Sequence, residues 1–168
     1  FTLNLYGYNG HIIEFTGKMI ALALINRISI PLKLTSSIFK YLLNEKVDLN
    51  DMNDFDSEIY QSLKWISEND PSPLMMRFVN SKNEPLCYNG RRIELNDKNK
   101  HRFIGLTLFD ILLKKYLYSL RILKSGFNKI ISCKRVSMYL KSEEIKNCIC
   151  GTETIDIEDW KKNTIYSD

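Results

Sequence analysis

Phe15-Thr16-Gly17-Lys18-Met19-Ile20-Ala21-Leu22-Ala23-Leu24 is the stretch on which a reading of the fold turns. Ile13, Met19, Ile20, Leu22, Ala23 and Leu24 fall around most of the circumference of a helix over residues 12–27, which predicts a largely buried helix. The longest apolar run, Met19 to Ile25, is far shorter than the roughly 20 residues a membrane-spanning helix needs, so no membrane segment is expected.

Around this helix the chain has 168 residues, enough for one domain with one sizeable core. It opens on Phe1 without a basic-then-apolar leader, and this reads as an internal piece of a longer protein. The net charge of +4, from 24 basic and 20 acidic residues, is mild and interspersed in sign. A nucleic-acid footprint would gather Lys and Arg on one face; Glu94, Asp97 and Asp110 break up any such face, so nucleic acid is not an expected partner.

The prolines, Pro31, Pro71, Pro73 and Pro85, all lie in the first half and leave the second open to long helices. Ser36 or Ser37 can cap a second helix through Leu43, with Ile38, Tyr41 and Leu42 on one face. The acidic run Asp48 to Asp56 reads as turn-prone. Asp56 or Ser57 starts a third helix through Glu68, whose stripe is Ile59, Leu63 and Ile66; Trp65 is expected to pack inward with Ile66. Asp70-Pro71-Ser72-Pro73 stops it, and Leu74 to Val79 reads as a strand. Asn89-Gly90, between Leu86–Tyr88 and Arg91–Leu95, is a hairpin signal.

Asn96 can cap a long helix from Asp97 to Lys124, broken near Gly105 or Lys114, with Gly126 beyond its end and a short strand or turn at Ile130-Ile131. Lys98 to Arg102, His101 included, reads as its solvated start. A further helix runs from Ser142 to Cys150, terminated by Gly151, and Asp156 caps a last short one through Lys162. The fold class is α+β, mostly helical, with a small β-hairpin element.

Four cysteines without an even ladder of spacings read as reduced thiols. Cys148 and Cys150 lack the spacing of a zinc knuckle, and Cys87, Cys133, His11 and His101 supply no second pair, so neither metal nor cofactor is expected. Both thiols lie in the last turn of a helix, where the dipole opposes ionisation, and are expected to be core or half-buried packing groups.

Several blocks, in order, resemble one family. Asp156-Ile157-Glu158-Asp159-Trp160 through Tyr166, preceded by Glu144-Ile145 and Cys148 to Gly151, is similar to the end of the N-terminal lobe of HECT-type ubiquitin ligases. Phe15 to Leu24, Asp51 to Trp65, Asn89 to Ile93 with Asn99-Lys100, and Gly126-Phe127-Asn128 are similar to earlier signatures of the same lobe. Ala21, Asn96 and Ser142 stand where the family commonly has glycine, threonine and proline, and Thr107 where it often has an aromatic.

The resemblance implies a partial HECT N-terminal lobe over residues 1–168. A smaller conjugating-enzyme-binding subdomain would span about 47–115, and a larger one 1–46 and 116–168. It implies that the parent protein is a two-lobed transferase acting inside the cell, in cytoplasm or nucleus. The N-lobe docks a ubiquitin-charged conjugating enzyme; a cysteine on an absent C-terminal lobe takes ubiquitin as a thioester and passes it to a substrate lysine, substrates being held by other regions. None of the four cysteines matches that nucleophile, so no catalytic residue is expected here and the fragment alone should be inactive. Carried over position by position, the docking residues are Ile59, Ser62, Leu63, Leu74, Met76, Phe103 and Thr107. Truncating Phe103 is expected to weaken docking without unfolding the domain, and burial of Phe103 in the core would count against the groove assignment. The other reading is a non-catalytic helical protein-interaction adaptor of the same fold.

Overall fold

The computed structural model describes residues 9–30, 34–53, 55–151 and 157–164, without the side chains of 158–160. The expectations at Pro31 and Asp156 lie outside these. Among the described residues the chain is mostly helical: α1 (Gly10–Asn26), α2 (Ser36–Leu43), α3 (Leu49–Asn53), α4 (Ser57–Glu68), α5 (Lys100–Leu112), α6 (Leu117–Asn128), α7 (Cys133–Val136), α8 (Ser142–Cys150) and α9 (Ile157–Asn163). No helix among them is long and apolar enough to cross a membrane.

The centre is a close crossing of α1 on α6. A Cβ placed on Gly17 would lie 2.0 Å from the Leu123 carbonyl oxygen, and one on Gly126 would lie 2.0 Å from that of Glu14. Both glycines are there because the two backbones touch. This corrects the expectation for Gly126: it is not a terminator but an interior residue of α6. Ile13, Ile20, Ala21, Leu123 and Phe127 fill the space beside the crossing. Lys129 Nζ, at 2.6 Å, and Lys18 Nζ, at 2.9 Å, hold the Glu14 carboxylate at the rim.

Since α6 covers only one side of it, α1 is not largely buried as its composition suggested. Ile12, Phe15, Met19, Leu22 and Ile25 leave between 39% and 59% of their surface exposed. The apolar circumference divides into a core stripe and an open stripe.

The long helix of the second half breaks at Leu113, where a 3-10 turn over Lys114–Tyr116 separates α5 from α6. α5 begins at Lys100 with Asn99 at its N-cap position, so Asn96 does not cap it as expected; Asn96 Oδ1 accepts from the amides of Lys98 and Asn99 and organises the turn before the helix. His101 is exposed. Ile130 and Ile131 form a turn rather than a strand. Gly151, with φ of 78°, ends α8 as expected. That helix is fixed to the end of α2 by Glu45, which accepts from the backbone amide and hydroxyl of buried Ser142.

Two segments differ from expectation for local reasons. The acidic run contains α3, because Asp48 Oδ1 accepts from Asn50 N at 2.9 Å and caps it, while buried Asp51 is paired with Lys40 at 2.8 Å. Asn89-Gly90 makes no two-residue hairpin. Asn89 is left-handed at φ 56°, but Gly90 begins a 3-10 turn, Gly90–Arg92. Gly90 is buried under Phe78, whose carbonyl oxygen would be 2.4 Å from an added Cβ. It is therefore a close-approach glycine and not a turn glycine. Phe78 N donates to the carbonyls of Gly90 and Ile93, Leu86 N donates to that of Phe78, and pairing stops at single antiparallel bridges, Arg77 with Glu94 and Val79 with Pro85. No extended strand forms over 74–79 either, since Ser72–Leu74 is a 3-10 turn and Met75 is left-handed at φ 50°.

Trp65 is 46% exposed, whereas Ile66 is buried; on α4 the inward stripe passes through Leu63 and Ile66 and leaves Trp65 on the open side. Of the cysteines, Cys133 is buried, Cys87 and Cys150 are half-buried, and Cys148 is exposed. Ile149 takes the core position between the last two, so Cys150 packs as expected and Cys148 does not.

Candidate functional site: an apolar groove between two helices

Asp56 sets the phase of α4. Its carboxylate accepts from Glu58 N at 3.0 Å and Ile59 N at 3.1 Å, satisfying amides that a helix start leaves free. From that start Ile59 and Ser62-Leu63 fall on the side facing α5, with which α4 packs. Phe103 and Thr107, one turn apart on α5, look back across the gap. The segment Met76–Ser81 closes one end.

The result is an open groove of about 430 Å³. Ile59, Ser62, Leu63, Met76, Phe103 and Thr107 all line it, so the fold brings together six of the seven residues carried over from the sequence. Leu74 is not among the lining residues; it sits in the 3-10 turn before the groove, 48% exposed.

The residues divide into floor and rim. Leu63 and Phe103, each 3% exposed, and Ile66, at 4%, form the floor, and they belong to the continuous core. Phe103 meets Phe78 edge to face at 5.4 Å between centroids. This corrects the expectation for Phe103: it is a core residue whose outer edge reaches the groove, and truncating it would disturb the core. Met76, Ser62 and half-buried Ile59 stand at the rim.

The hydroxyls around the groove are already engaged. Thr107 Oγ1 donates to the Phe103 carbonyl at 2.9 Å and Ser62 Oγ to that of Glu58 at 3.0 Å. With their protons turned onto their own helices, Thr107 and Ser62 leave the end of the groove between Ile59, Leu63, Met76 and Phe103 largely apolar.

The residues that sequence reasoning missed are at the far end. Asn80, Ser81 and Asp110 line the groove together with Arg77, Val79 and Ile111. Asn80 and Asp110 are 30 positions apart, and no periodicity links them. The available signal was the Asn80-Ser81-Lys82-Asn83 cluster, a run of turn formers directly after an apolar segment.

Ionisable groups beside the groove do not resemble an acid–base pair. Lys114 Nζ bonds the Asp110 carboxylate at 2.6 Å, which holds the ammonium pKa above its ordinary value. The cysteine with a displaced pKa, Cys133, is pushed up by burial and lies away from the groove, against Lys124. A thiol held protonated is a poor nucleophile.

Comparison with known proteins places the chain in a family. The sequence model of the HECT domain (ubiquitin-transferase) matches residues 3–168. The chain is 31% identical over 161 residues to the E3 ubiquitin-protein ligase pub3 of Schizosaccharomyces pombe, covering 91% of this chain and 20% of that protein. It is 32% identical over 157 residues to the E3 ubiquitin-protein ligase hecw-1 of Caenorhabditis elegans, covering 89% of this chain and 12% of that protein. With the E3 ubiquitin-protein ligase UPL1 of Arabidopsis thaliana the figures are 29% over 169 residues, 92% and 5%. The chain thus spans about a fifth or less of the length of these relatives.

Proposed function

The chain belongs to the HECT (ubiquitin-transferase) domain family, and from this premise we propose that it is the part of the N-terminal lobe of a ubiquitin-protein ligase that docks a ubiquitin-charged conjugating enzyme in the groove between α4 and α5. The observation that carries the reading is the convergence of Ile59, Ser62, Leu63, Met76, Phe103 and Thr107 on one apolar concavity from two helices and a connecting segment. Residues 47–115 act as the docking subdomain, and the remainder as its base.

The lobe works by placement. A conjugating enzyme inserts an apolar side chain between Ile59 and Met76 and rests it on the floor of Leu63 and Phe103. Its thioester is thereby held where a cysteine elsewhere in the parent protein attacks the carbonyl carbon. The new thioester forms as the conjugating enzyme's thiolate leaves, and ubiquitin then moves to a substrate lysine. The cysteines of this chain take no part: Cys133 is buried and its thiol held protonated, and none of the four lines the groove. The parent acts inside the cell, on substrates recruited by other regions.

The rim tests this without disturbing the core. Ile59→Ala and Met76→Ala should each weaken binding of a conjugating enzyme about tenfold or more, as loss of an interface hot spot does, with an unchanged circular dichroism spectrum. Equal binding by wild type and both variants would refute the groove. If a frame encoding the parent ends without a cysteine-bearing second lobe, while the rim substitutions still abolish binding, the chain is a non-catalytic adaptor of the same fold.

A further inference from the structure

Asn80 and Ser81, at the start of the turn over residues 80–84, form the far wall of the groove; the turn follows Phe78, which packs on Phe103 of α5, and one side-chain hydrogen bond ties the turn itself to α5. Asn80 is the keystone of the turn. Its Oδ1 accepts from Lys82 N at 3.0 Å and Glu84 N at 2.9 Å, and its backbone amide donates to the Glu84 carbonyl at 2.9 Å. Asn83, left-handed at φ 60°, closes the turn by donating to the Asn80 carbonyl. The turn is thus rigid in itself. Its side-chain tie to α5 is made by the same residue: Asn80 Nδ2 donates to Glu84 Oε2 at 3.0 Å within the turn and to Asp110 Oδ2 at 3.2 Å on α5. Asp110 is 14% exposed at its side chain and is steadied by Lys114 one turn further on.

This contact stands at the border of two concavities. On one side is the apolar groove; on the other is a polar pocket of about 330 Å³ that includes Lys82, Glu84, Lys114 and Lys115. Asn80, Ser81, Asp110 and Ile111 line both. If the contact opened, this wall would lose its side-chain tie to α5 at the border of the two concavities.

We infer that Asn80 and Asp110 are positioning residues: their hydrogen bond latches the 80–84 turn to α5 and so fixes the width of the conjugating-enzyme groove. The inference rests on the docking reading above and adds to it the element that holds one wall of the groove in place.

An exchange of the two groups tests it. All variants are made in a Glu84→Gln background, which removes the second carboxylate bonded to Asn80 Nδ2; there Asn80→Asp keeps the acceptor that organises the turn but sets a carboxylate against that of Asp110, a like-charge pair that resists joint ionisation. Asn80→Asp paired with Asp110→Asn restores one amide facing one carboxylate. Binding of a conjugating enzyme to the 168-residue chain, followed by fluorescence anisotropy, should weaken about tenfold with Asn80→Asp and return to within about threefold in the exchanged pair. Tryptic cleavage after exposed Lys82 should accelerate in the single variant and slow again in the pair. Asp110→Ala, which removes the acceptor without adding charge, should act in the same direction and serves if Asn80→Asp fails to fold. Wild-type binding that none of these changes alters would overturn the latch. So would a deficit the exchange leaves unrepaired, since that would mean the two residues act singly. If no conjugating enzyme binds wild type, the docking reading fails; cleavage at Lys82 then still judges the latch, and rates unchanged across the variants would refute it.

Discussion

One chemical change, a glycine to alanine inside a helix, should have opposite signs at two places in this molecule. In an open helix the added methyl is worth about 1 kcal/mol in favour of folding, because glycine loses more backbone freedom. Gly105, in α5, has open space where its Cβ would go, with nothing within 4 Å. Gly105→Ala should therefore stabilise by about 1 kcal/mol and raise the melting temperature by roughly 2–4 °C for a chain of this size. Gly17, in α1, faces the backbone of α6. Its Cβ would sit 2.0 Å from the Leu123 carbonyl oxygen and 2.9 Å from the Phe127 amide nitrogen. Ordinary van der Waals contact begins near 3.4 Å, and a backbone carbonyl has no rotamer into which to retreat. The helices must separate by more than an ångström, loosening Ile13, Ile20, Leu123 and Phe127 together.

Overpacking of a well-packed core costs about 1–3 kcal/mol and sometimes more; contact with main chain on both sides belongs at the top of that range. Offset by the gain in helix propensity, the net loss is roughly 2–3 kcal/mol, or about 4–12 °C. Gly126→Ala strikes the same crossing from the other helix, with a Cβ 2.0 Å from the Glu14 carbonyl oxygen. Once the helices have parted for one methyl, the second should cost less than alone, so the double variant falls short of the sum. The assay is urea unfolding followed by helical circular dichroism. Gly17→Ala as stable as wild type would refute the close crossing, and so would additive losses in the double variant.

Phe103→Ala should cost about 3–5 kcal/mol of folding stability, as truncation of a core aromatic does, so a binding deficit in that variant must be read against a urea titration; unchanged stability would contradict its place in the floor. Lys40, whose Nζ lies 2.8 Å from both Asp48 and Asp51, holds Asp51, 3% exposed at its side chain. Lys40→Met should destabilise by about 3–5 kcal/mol, because the partner left behind is a buried charge. Burial by itself pushes the Lys40 ammonium down and the Asp48 carboxylate up, but their mutual hydrogen bonds outweigh it, so the Lys40 pKa is raised and that of Asp48 lowered. Asp48's contribution is accordingly full above its ordinary value of 3.8 and lost as pH falls below it. That of Lys40 is full below 10.5 and lost as pH rises through it. Urea midpoints across pH should show both flanks flattened in Lys40→Met. Under native conditions a maleimide should modify Cys148 before Cys133, the first exposed and the second buried with a raised pKa, as peptide mass spectrometry would show; modification of Cys133 first would contradict the placement of α7.

The sequence revealed helices wherever a cap and a stripe agreed. Asp56 or Ser57 as the start, with the stripe of Ile59, Leu63 and Ile66, marked α4, and Ser142 with Gly151 marked α8. Where a local signal had two physical meanings, it misled. Asn89-Gly90 carries the turn chemistry of a hairpin, but Gly90 is required by the Phe78 carbonyl pressed against it, a neighbour that chain order does not announce as a contact. Gly126 reads as a helix terminator for the same reason: glycine serves both a left-handed backbone and a close approach, and its letter does not distinguish them. The apolar circumference of α1 overstated burial, because hydrophobicity reports what a face can tolerate and not what covers it.

The docking groove divides along the same line. Ile59 and Leu63 lie four residues apart, as do Phe103 and Thr107, and helical geometry turns such spacings into neighbours. What pattern alone did not supply was which helix faces which, and the family likeness supplied it. Depth was legible in neither. A groove needs a floor, and the floor of this one, Leu63 and Phe103, is the same surface the core uses to exclude water. A residue in that position answers to two constraints, so truncation there confounds folding with binding, and Ile59 and Met76 are the cleaner probes. Asn80 and Asp110 show the complementary case. They are polar and separated by 30 positions, yet a hydrogen bond joins them at the wall of the groove, a pairing that neither position announces alone.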